Sequence, residues 1–318
     1  MKKIVVLGST NTDMVIAGRK LPAPGETVSG GRFMMNAGGK GANQAVAVAR
    51  LSAAKGACTF IAKVGDDLFG RATAARMRKD GVKTHLVVDP REPSGTALIL
   101  VDAKGQNEIS VALGANGTLS PADVAPFRKE IESAAATLMQ LETPVETVAW
   151  AAKVAHDAGA AVILNPAPAR KLPRALYPLV DWMTPNETEA EILTGVKVVD
   201  AASAAKAAAV LKKRGVGHVV ITMGAKGAYL TAPCGRLRPM GKQAGRAERE
   251  PSGRLYPCRK VKAVDCVAAG DTFNGALAVA LAEGRGCAEA IDFAQKASAI
   301  AVTRPGAQSS IPYRREIQ

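Results

Sequence analysis

Aromatic residues are scarce in this chain. Phe, Trp and Tyr together make up 4% of its 318 residues, against 47% for all hydrophobic types. Such a core is filled by Ala, Val, Ile and Leu, which suits helices packed closely on a sheet rich in β-branched residues. Long apolar runs are missing too: none approaches the ~20 residues of a membrane span. The opening Met1-Lys2-Lys3-Ile4-Val5-Val6-Leu7-Gly8 is too short for a signal peptide and lacks a small-residue cleavage site. It reads as a first strand, and no membrane partner is expected. Cys58, Cys234, Cys258, Cys266 and Cys287 form no CxxC pair, and the three histidines form no cluster beside them. That excludes a recognisable structural zinc site and argues for reduced thiols and a cytoplasmic location.

Acidic residues are also in short supply, 28 against 42 basic ones, a net charge of +14. The surplus concentrates between residues 233 and 260, where eight Lys and Arg face Glu248 and Glu250 alone. No aromatic ladder interleaves these charges, as a surface for single-stranded nucleic acid would need. The segment reads as a solvated basic loop, and no nucleic-acid partner is expected. Neither GxGxxG nor GxxxxGK[ST] occurs, so the standard dinucleotide and P-loop assignments fail.

What the chain does have is Ala268-Ala269-Gly270-Asp271-Thr272-Phe273-Asn274-Gly275. Small residues and a glycine lead into an acid, and Phe273, Leu277, Ala280 and Leu281 follow at helical spacing. A tight turn feeding a helix N-terminus exposes unpaired N–H groups that favour negative charge. A carboxylate there either caps the helix or works beside an anion. In the second case Asp271 takes a proton from a hydroxyl while the amides hold a transferring phosphoryl group. A second glycine-rich helix start, Ala37-Gly38-Gly39-Lys40-Gly41-Ala42-Asn43-Gln44, suits close approach of a ligand to backbone.

Between these two, strand and helix patterns alternate. Strands are expected at Ile4–Leu7, Cys58–Val64, Leu138–Leu141, Ala161–Leu164, Val180–Met183, Val219–Met223, Ala228–Thr231 and Val261–Val264. Helices include 68–79, one continuous helix over 121–135, and two that close the chain at about 272–284 and 288–303. This is the signature of a parallel sheet covered by helices on both faces, an α/β fold. Thr96–Val101 and Glu108–Leu113 break the alternation and read as a hairpin. Asn11, Asp13, Glu142, Asn165, Asn186, Glu189, Gly224 and Asp271 all fall just after strands, the edge at which open parallel sheets bind ligands.

The two glycine-rich stretches, with Asn165-Pro166-Ala167-Pro168 and Thr184-Pro185-Asn186-Glu187-Thr188-Glu189, resemble the ribokinase-like (PfkB-type) carbohydrate kinases. The resemblance spans nearly all of the chain except about residues 232–260. It implies one kinase domain over 1–318: a three-layer α/β/α sandwich with a mostly parallel central sheet. It also implies a small β-sheet lid, formed by about 14–36 and 95–114, that serves as a homodimer contact. The spellings favour members that phosphorylate D-ribose at O5 with ATP. A sister kinase for deoxyribose or another small sugar, or a catalytically impaired sugar- or nucleotide-binding homologue, stands as the alternative.

By the same resemblance Asp271 is the catalytic base, and Ala268, Ala269 and Gly270 form the anion hole. Asn11, Asp13, Gly39, Lys40, Gly41, Ala42, Asn43 and Glu142 bind the sugar. Asn186 and Glu189 help place Mg2+ and the nucleotide phosphates. Thr222, Met223, Gly224, Ala225, Lys226 and Gly227 contact ATP, and Gln295 lies by the adenine. A monovalent cation, K+, is implied at Asp265, Val267, Ala301, Arg304, Gly306 and Ser310. Two departures stand out. Cys266 occupies a position that is usually Thr and reads as inert buried packing, and the 232–260 segment is longer and more basic than the pattern expects.

Overall fold

The computed structural model of the chain describes residues 3–231 and 253–317. Most of the basic segment, 232–252, lies outside the described residues. Strand β1 (Ile4–Leu7) is wholly buried, and its alternation divides it between two cores. Ile4 and Val6 face one hydrophobic cluster, Val5 and Leu7 the other. A strand covered on both faces reads as a continuous apolar run for this reason. β4 (Cys58–Gly65), β8 (Ala136–Met139) and β9 (Ala161–Leu164) are buried end to end in the same way.

With β5 (Lys83–Asp89), β10 (Trp182–Met183), β11 (His218–Thr222), β12 (Ala228–Leu230) and β13 (Arg254–Tyr256), these strands make one nine-stranded sheet in the order β13-β12-β11-β10-β9-β8-β1-β4-β5. Pairing is parallel from β11 through β5 and antiparallel only at the β11-β12-β13 edge. On one face lie α1 (Lys40–Leu51), α8 (Ala269–Ala282) and α9 (Cys287–Ala301), with Met77 of α2 (Leu68–Lys79). The other face carries α3 (Pro121–Val124), α4 (Arg128–Glu132), α5 (Val145–Asp157), α6 (Glu187–Thr194) and α7 (Ala201–Lys213). This is the expected three-layer α/β/α arrangement.

A second, separate sheet has four strands in the order β3-β2-β6-β7: β3 (Arg32–Gly38), β2 (Asn11–Ala17), β6 (Gly95–Val101) and β7 (Asn107–Ala112). The expected hairpin is its β6-β7 pair, antiparallel with Thr96 opposite Ala112. Register puts Ile16, Phe33, Met35 and Leu98 on one face, all exposed. Val15, Ala97 and Asp13 share the opposite face, and the first two are buried.

Helix α8 is buried along most of its length and packs against α1 as well as the sheet. Gly275 makes that approach possible: a Cβ there would meet Ala47 Cβ at 2.4 Å and the Gln44 carbonyl at 3.0 Å. The small residues that displaced aromatics from the composition set this spacing, and the spacing brings the two glycine-rich helix starts together.

Four expectations change. The single helix over 121–135 is broken into α3, a 3-10 turn at 125–127 and α4. Pro126 sits at the break, where it removes a helical donor and crowds the preceding turn. Residues 261–264 form no strand; Val261 and Val264 are exposed, with no sheet face to bury them. Strand β5 was not expected, because a sheet-edge strand carrying Lys83 and His85 lacks a clean apolar run. Cys58, Cys258 and Cys266 are free thiols, but Cys287 is disulfide-bonded, so the all-reduced expectation fails there. Among the described residues no helix is long and apolar enough to cross a membrane.

Candidate active site

Asp271 sits in the first turn of α8 and is buried. Both its oxygens are held by amides from α1. Asn43 Nδ2 donates to Oδ2 at 2.9 Å, and Gln44 Nε2 donates to Oδ1 at 3.0 Å. Burial pushes the Asp271 carboxyl above its ordinary range; the Lys40 charge and the two amide bonds oppose that push, and Glu142 adds to it. The turn before it is strained: Ala268 caps α8 in the left-handed region at φ 59, unusual for a residue with a Cβ. The N–H groups of Gly270 and Asp271 belong to the first helical turn and have no partner within the helix. A Cβ on Gly270 would meet nothing within 4 Å, so open space lies beside these amides. A helix N-terminal turn open to space beside a buried carboxylate is the backbone arrangement expected from the sequence.

The Gln44 amide has a fixed sense. The Thr184 carbonyl, an acceptor only, takes a bond from Asn165 Nδ2 at 3.1 Å. Asn165 Oδ1 therefore faces Gln44 and accepts from Nε2 at 3.0 Å. Gln44 Oε1 in turn accepts from Gln140 Nε2 at 2.5 Å. A second path leaves the same Thr184: its hydroxyl donates to Asn274 Oδ1 at 2.5 Å, and Asn274 Nδ2 donates to the Gly270 carbonyl at 2.8 Å. Gln44, Gln140, Thr184 and Asn274 had no role assigned from sequence. Gln44, Thr184 and Asn274 lie inside the quoted motifs, which is the only signal that could have found them.

Lys40 opens α1 among three carboxylates. Desolvation works against its charge, but Asp271, Glu142 and Glu189 outweigh it and raise its pKa. Glu142 accepts from Ser9 Oγ at 2.5 Å and from the Lys40 N–H at 3.0 Å. Ala42 N–H donates to the Ser9 carbonyl at 2.8 Å and Gly41 N–H to Ser9 Oγ at 3.4 Å. The first amides of α1 are thus committed to protein partners, so Gly39 to Ala42 shape the site more than they offer donors. Gly39 takes φ 87, and a Cβ there would meet the Asn11 nitrogen at 2.7 Å.

Asp13 projects from β2 where Gly38 leaves room: a Cβ on Gly38 would lie 2.1 Å from Asp13 Oδ2. Its pKa is pushed up to about 6, by burial first and then by Glu142. Asn11 is buried, and its Oδ1 accepts from Asn116 Nδ2 at 2.8 Å. Asn116 is another residue the sequence did not flag.

On the other side of Asp271, Asn186 and Glu189 cap α6 reciprocally, at 2.8 and 2.9 Å. Burial raises the Glu189 pKa, opposed by the Asn186 N–H and by Lys40, while Asp271 adds to the rise. Asn186 bridges to Thr222, which starts the turn containing Met223, Gly224, Ala225, Lys226 and Gly227. Gln295 Nε2 is used on the Tyr256 carbonyl at 2.8 Å, and a Cβ on Gly227 would meet that same oxygen at 2.0 Å. Gln295 thus fixes the backbone that borders the turn.

Asp265 ties two segments together. Its Oδ1 accepts from the Val267 N–H and its Oδ2 from the Gly306 N–H, both at 2.9 Å. Ala301 ends α9, Arg304 pairs with Glu316, and buried Ser310 donates to the Ala307 carbonyl at 2.8 Å. Cys266 is exposed, so the expectation of buried packing does not hold. Among the described residues no group of three or more His, Cys, Asp or Glu could hold a metal ion.

Known proteins resemble this chain over nearly its whole length. The sequence profile of the pfkB family carbohydrate kinases matches residues 1–314. The ribokinase of Haemophilus influenzae is 44% identical over 316 residues, covering 99% of this chain and 97% of that protein. The crystal structure of ribokinase from Thermotoga maritima matches with a TM-score of 0.85 at 36% identity, covering 100% of this chain and 98% of the other. Arabidopsis thaliana ribokinase, solved complexed with ribose and ATP, matches with a TM-score of 0.83 at 30% identity, covering 99% and 97%.

Proposed function

The chain belongs to the pfkB family of carbohydrate kinases, and from that premise we propose that it transfers the γ-phosphoryl group of ATP to O5 of D-ribose. The observation that carries the reading is Asp271: a buried carboxylate, amide-held on both oxygens, at the open N-terminal turn of α8. Asp271 accepts the proton of the 5-hydroxyl as O5 attacks the γ-phosphorus. The bond to the β–γ bridging oxygen breaks and ADP leaves. The amides of Gly270 and Asp271 meet the charge that develops on the phosphoryl oxygens, while the Ala269 N–H is used on the Cys266 carbonyl. A base whose pKa has been raised by burial is a stronger proton acceptor than an ordinary carboxylate.

Asn11, Asp13, Asn43 and Glu142 meet the sugar hydroxyls. Carboxylates and side-chain amides suit hydroxyls that both donate and accept. Lys40, surrounded by three carboxylates, brings positive charge beside the transfer path. Thr222 to Gly227 and the wall fixed by Gln295 border the nucleotide. Mg2+ neutralises the nucleotide phosphates when bound. A sparse donor set of Asn186 and Glu189 fits an ion carried largely by phosphates and water. Asp265, Val267, Ala301, Arg304, Gly306 and Ser310 would hold K+, which supplies a fixed positive charge behind the anion turn. Asp265, already joining the 267 and 306 segments, fits that role.

The four-stranded sheet acts as a lid over the sugar, with Asp13 on its inner face. Its exposed outer face of Ile16, Phe33, Met35 and Leu98 is covered by a second copy in a homodimer. The enzyme works in the cytoplasm, where ATP is supplied. A coupled ADP-release assay over a sugar panel, with K+ and with Na+, tests the reading. Turnover should be greatest with D-ribose and greater in K+. Stronger turnover with 2-deoxyribose would replace the substrate, and no turnover with any sugar would leave a binding protein.

A further inference from the structure

Four cations meet around one cavity of about 640 Å³, and no acid lines it. Its walls carry Arg170, Lys171, Arg174 and Arg214, with Leu172 and Ile192 as apolar surface. Among the described residues none of the four is ion-paired to a carboxylate. Gathered like charges repel unless a counter-charge neutralises them, and a cleft of one sign concentrates the opposite one.

The cleft is built from separate segments. Arg214 closes α7, and its Nη1 donates to the Leu193 carbonyl at 2.7 Å and to the Tyr177 hydroxyl at 3.2 Å. The guanidinium lies over the Tyr177 ring, 5.3 Å from its centroid. These contacts hold the fork in place before any ligand arrives. Gly215, at φ 107, lets the chain pass Pro178; a Cβ there would meet Pro178 Cγ at 3.0 Å. Arg170 and Lys171 come from the stretch between β9 and the 3-10 turn Arg174–Leu179, and Arg174 opens that turn. Ile192 comes from α6 and is 59% exposed, a large apolar side chain with little else to cover it.

We propose that this cavity binds the phosphoryl group of a small organic phosphate, at a site separate from the catalytic centre. Guanidinium forks match phosphate oxygens two at a time, and Lys171 adds a point charge. The volume falls within the range of about 300–1,000 Å³ typical of small-molecule sites. Leu172 and Ile192 receive the organic part. The α6 residues that line the cavity, Ile192 and Leu193, follow Asn186 by about 9–10 Å and Glu189 by about 5–6 Å along the helix, and neither Asn186 nor Glu189 lines it.

The experiment fills the catalytic centre first. Full-length protein saturated with ribose, Mg2+ and a non-hydrolysable ATP analogue is titrated calorimetrically with inorganic phosphate and with ribose 5-phosphate. One further molecule of ligand should bind per chain. Arg170→Ala/Arg174→Ala should weaken that binding by roughly tenfold or more, the scale of lost charge-assisted hydrogen bonds. The variant should still take up ribose and the ATP analogue as the parent does, which controls for folding. Arg214 is left intact because it also holds α6. Tighter binding of ribose 5-phosphate than of inorganic phosphate supports the site with Leu172 and Ile192 engaged. Equal binding supports it as a reader of the phosphoryl group alone. No binding to the saturated parent, or equal affinity in parent and variant, overturns it.

Discussion

Gln44 and Asp271 are 227 positions apart in sequence, and Gln44 Nε2 lies 3.0 Å from Asp271 Oδ1. The sense of that contact is set remotely. Thr184 offers a carbonyl, Asn165 turns its amide to meet it, and Gln44 is left presenting N–H and never C=O to the carboxylate. The carboxylate is thereby oriented by a donor it does not have to select.

That relationship makes the first prediction. Gln44→Leu removes a hydrogen bond that lowers the Asp271 pKa, so a carboxyl already raised by burial rises further. Only the ionised form accepts a proton, so activity falls as pH drops through this pKa. In the variant that acid limb of kcat should move to higher pH, by about one unit if the bond is worth about 1.4 kcal/mol. Profiles of kcat against pH for parent and variant decide it. An acid limb in the same place would show that Gln44 only packs.

Asp271→Asn should lower kcat by roughly 10² to 10⁴, the range for a lost general base, and leave ribose binding intact. It should not lower thermal stability. An acid whose folded pKa is raised favours the fold when protonated. That contribution is complete below the unfolded pKa and lost as pH rises through the folded one. At neutral pH the buried charge opposes folding, and Asn removes it. The new NH2 needs an acceptor, and Asn43 has one to spare: its Oδ1 is buried without a partner, so its amide can turn over. Calorimetric unfolding beside a turnover assay tests both halves. A melting point well below the parent's would contradict this account of the site.

Asp13 gives a pH signature on the sugar side. Its carboxyl, lifted to about 6 by burial and by Glu142, loses its charge as pH falls through that value. A protonated Asp13 accepts less well from sugar hydroxyls. KM for ribose should therefore climb below about pH 6 while KM for ATP stays level. Glu142→Gln removes the second cause of the shift and should move the climb to lower pH. Steady-state kinetics from pH 5 to 8 are sufficient, and a pH-independent ribose KM would separate Asp13 from the sugar.

How much of this was legible in the sequence depends on the range of the signal. Asp271 was legible because its turn, its acid and its apolar helix are adjacent. β1, β4 and β9 were legible because a strand buried on both faces is an unbroken apolar run. The helix over 121–135 was misjudged although Pro126 was in view, because apolar periodicity continues across the break. β5 was missed because its partly exposed edge mixes Lys83 and His85 with Val87. Gln44 and Asn165 stood in quoted motifs, but their link to each other and to Gln140 was not legible, because the paired residues sit 96 and 121 positions apart. Polar contacts across such separations impose no local period.

Two glycines on α8 separate packing from chemistry. At Gly275 a methyl group would collide with Ala47 Cβ at 2.4 Å and crowd the Gln44 carbonyl at 3.0 Å. Both neighbours belong to α1, so Gly275→Ala must push the two helices apart, at a cost of about 1–3 kcal/mol typical of overpacking. The same displacement draws Asn43 and Gln44 off Asp271, so kcat should fall along with the melting temperature. At Gly270 nothing lies within 4 Å, and the residue is helical. Gly270→Ala should leave stability unchanged or raise it by about 0.5–1 kcal/mol, since Ala loses less backbone entropy than Gly. Its methyl nevertheless enters the open space beside the first-turn amides, the place proposed for the transferring phosphoryl group. The variant should be a stable protein with impaired turnover and a nearly unchanged ribose KM. Paired unfolding and kinetic measurements on the two variants test the assignment. Full activity in Gly270→Ala would move the phosphoryl group away from this turn.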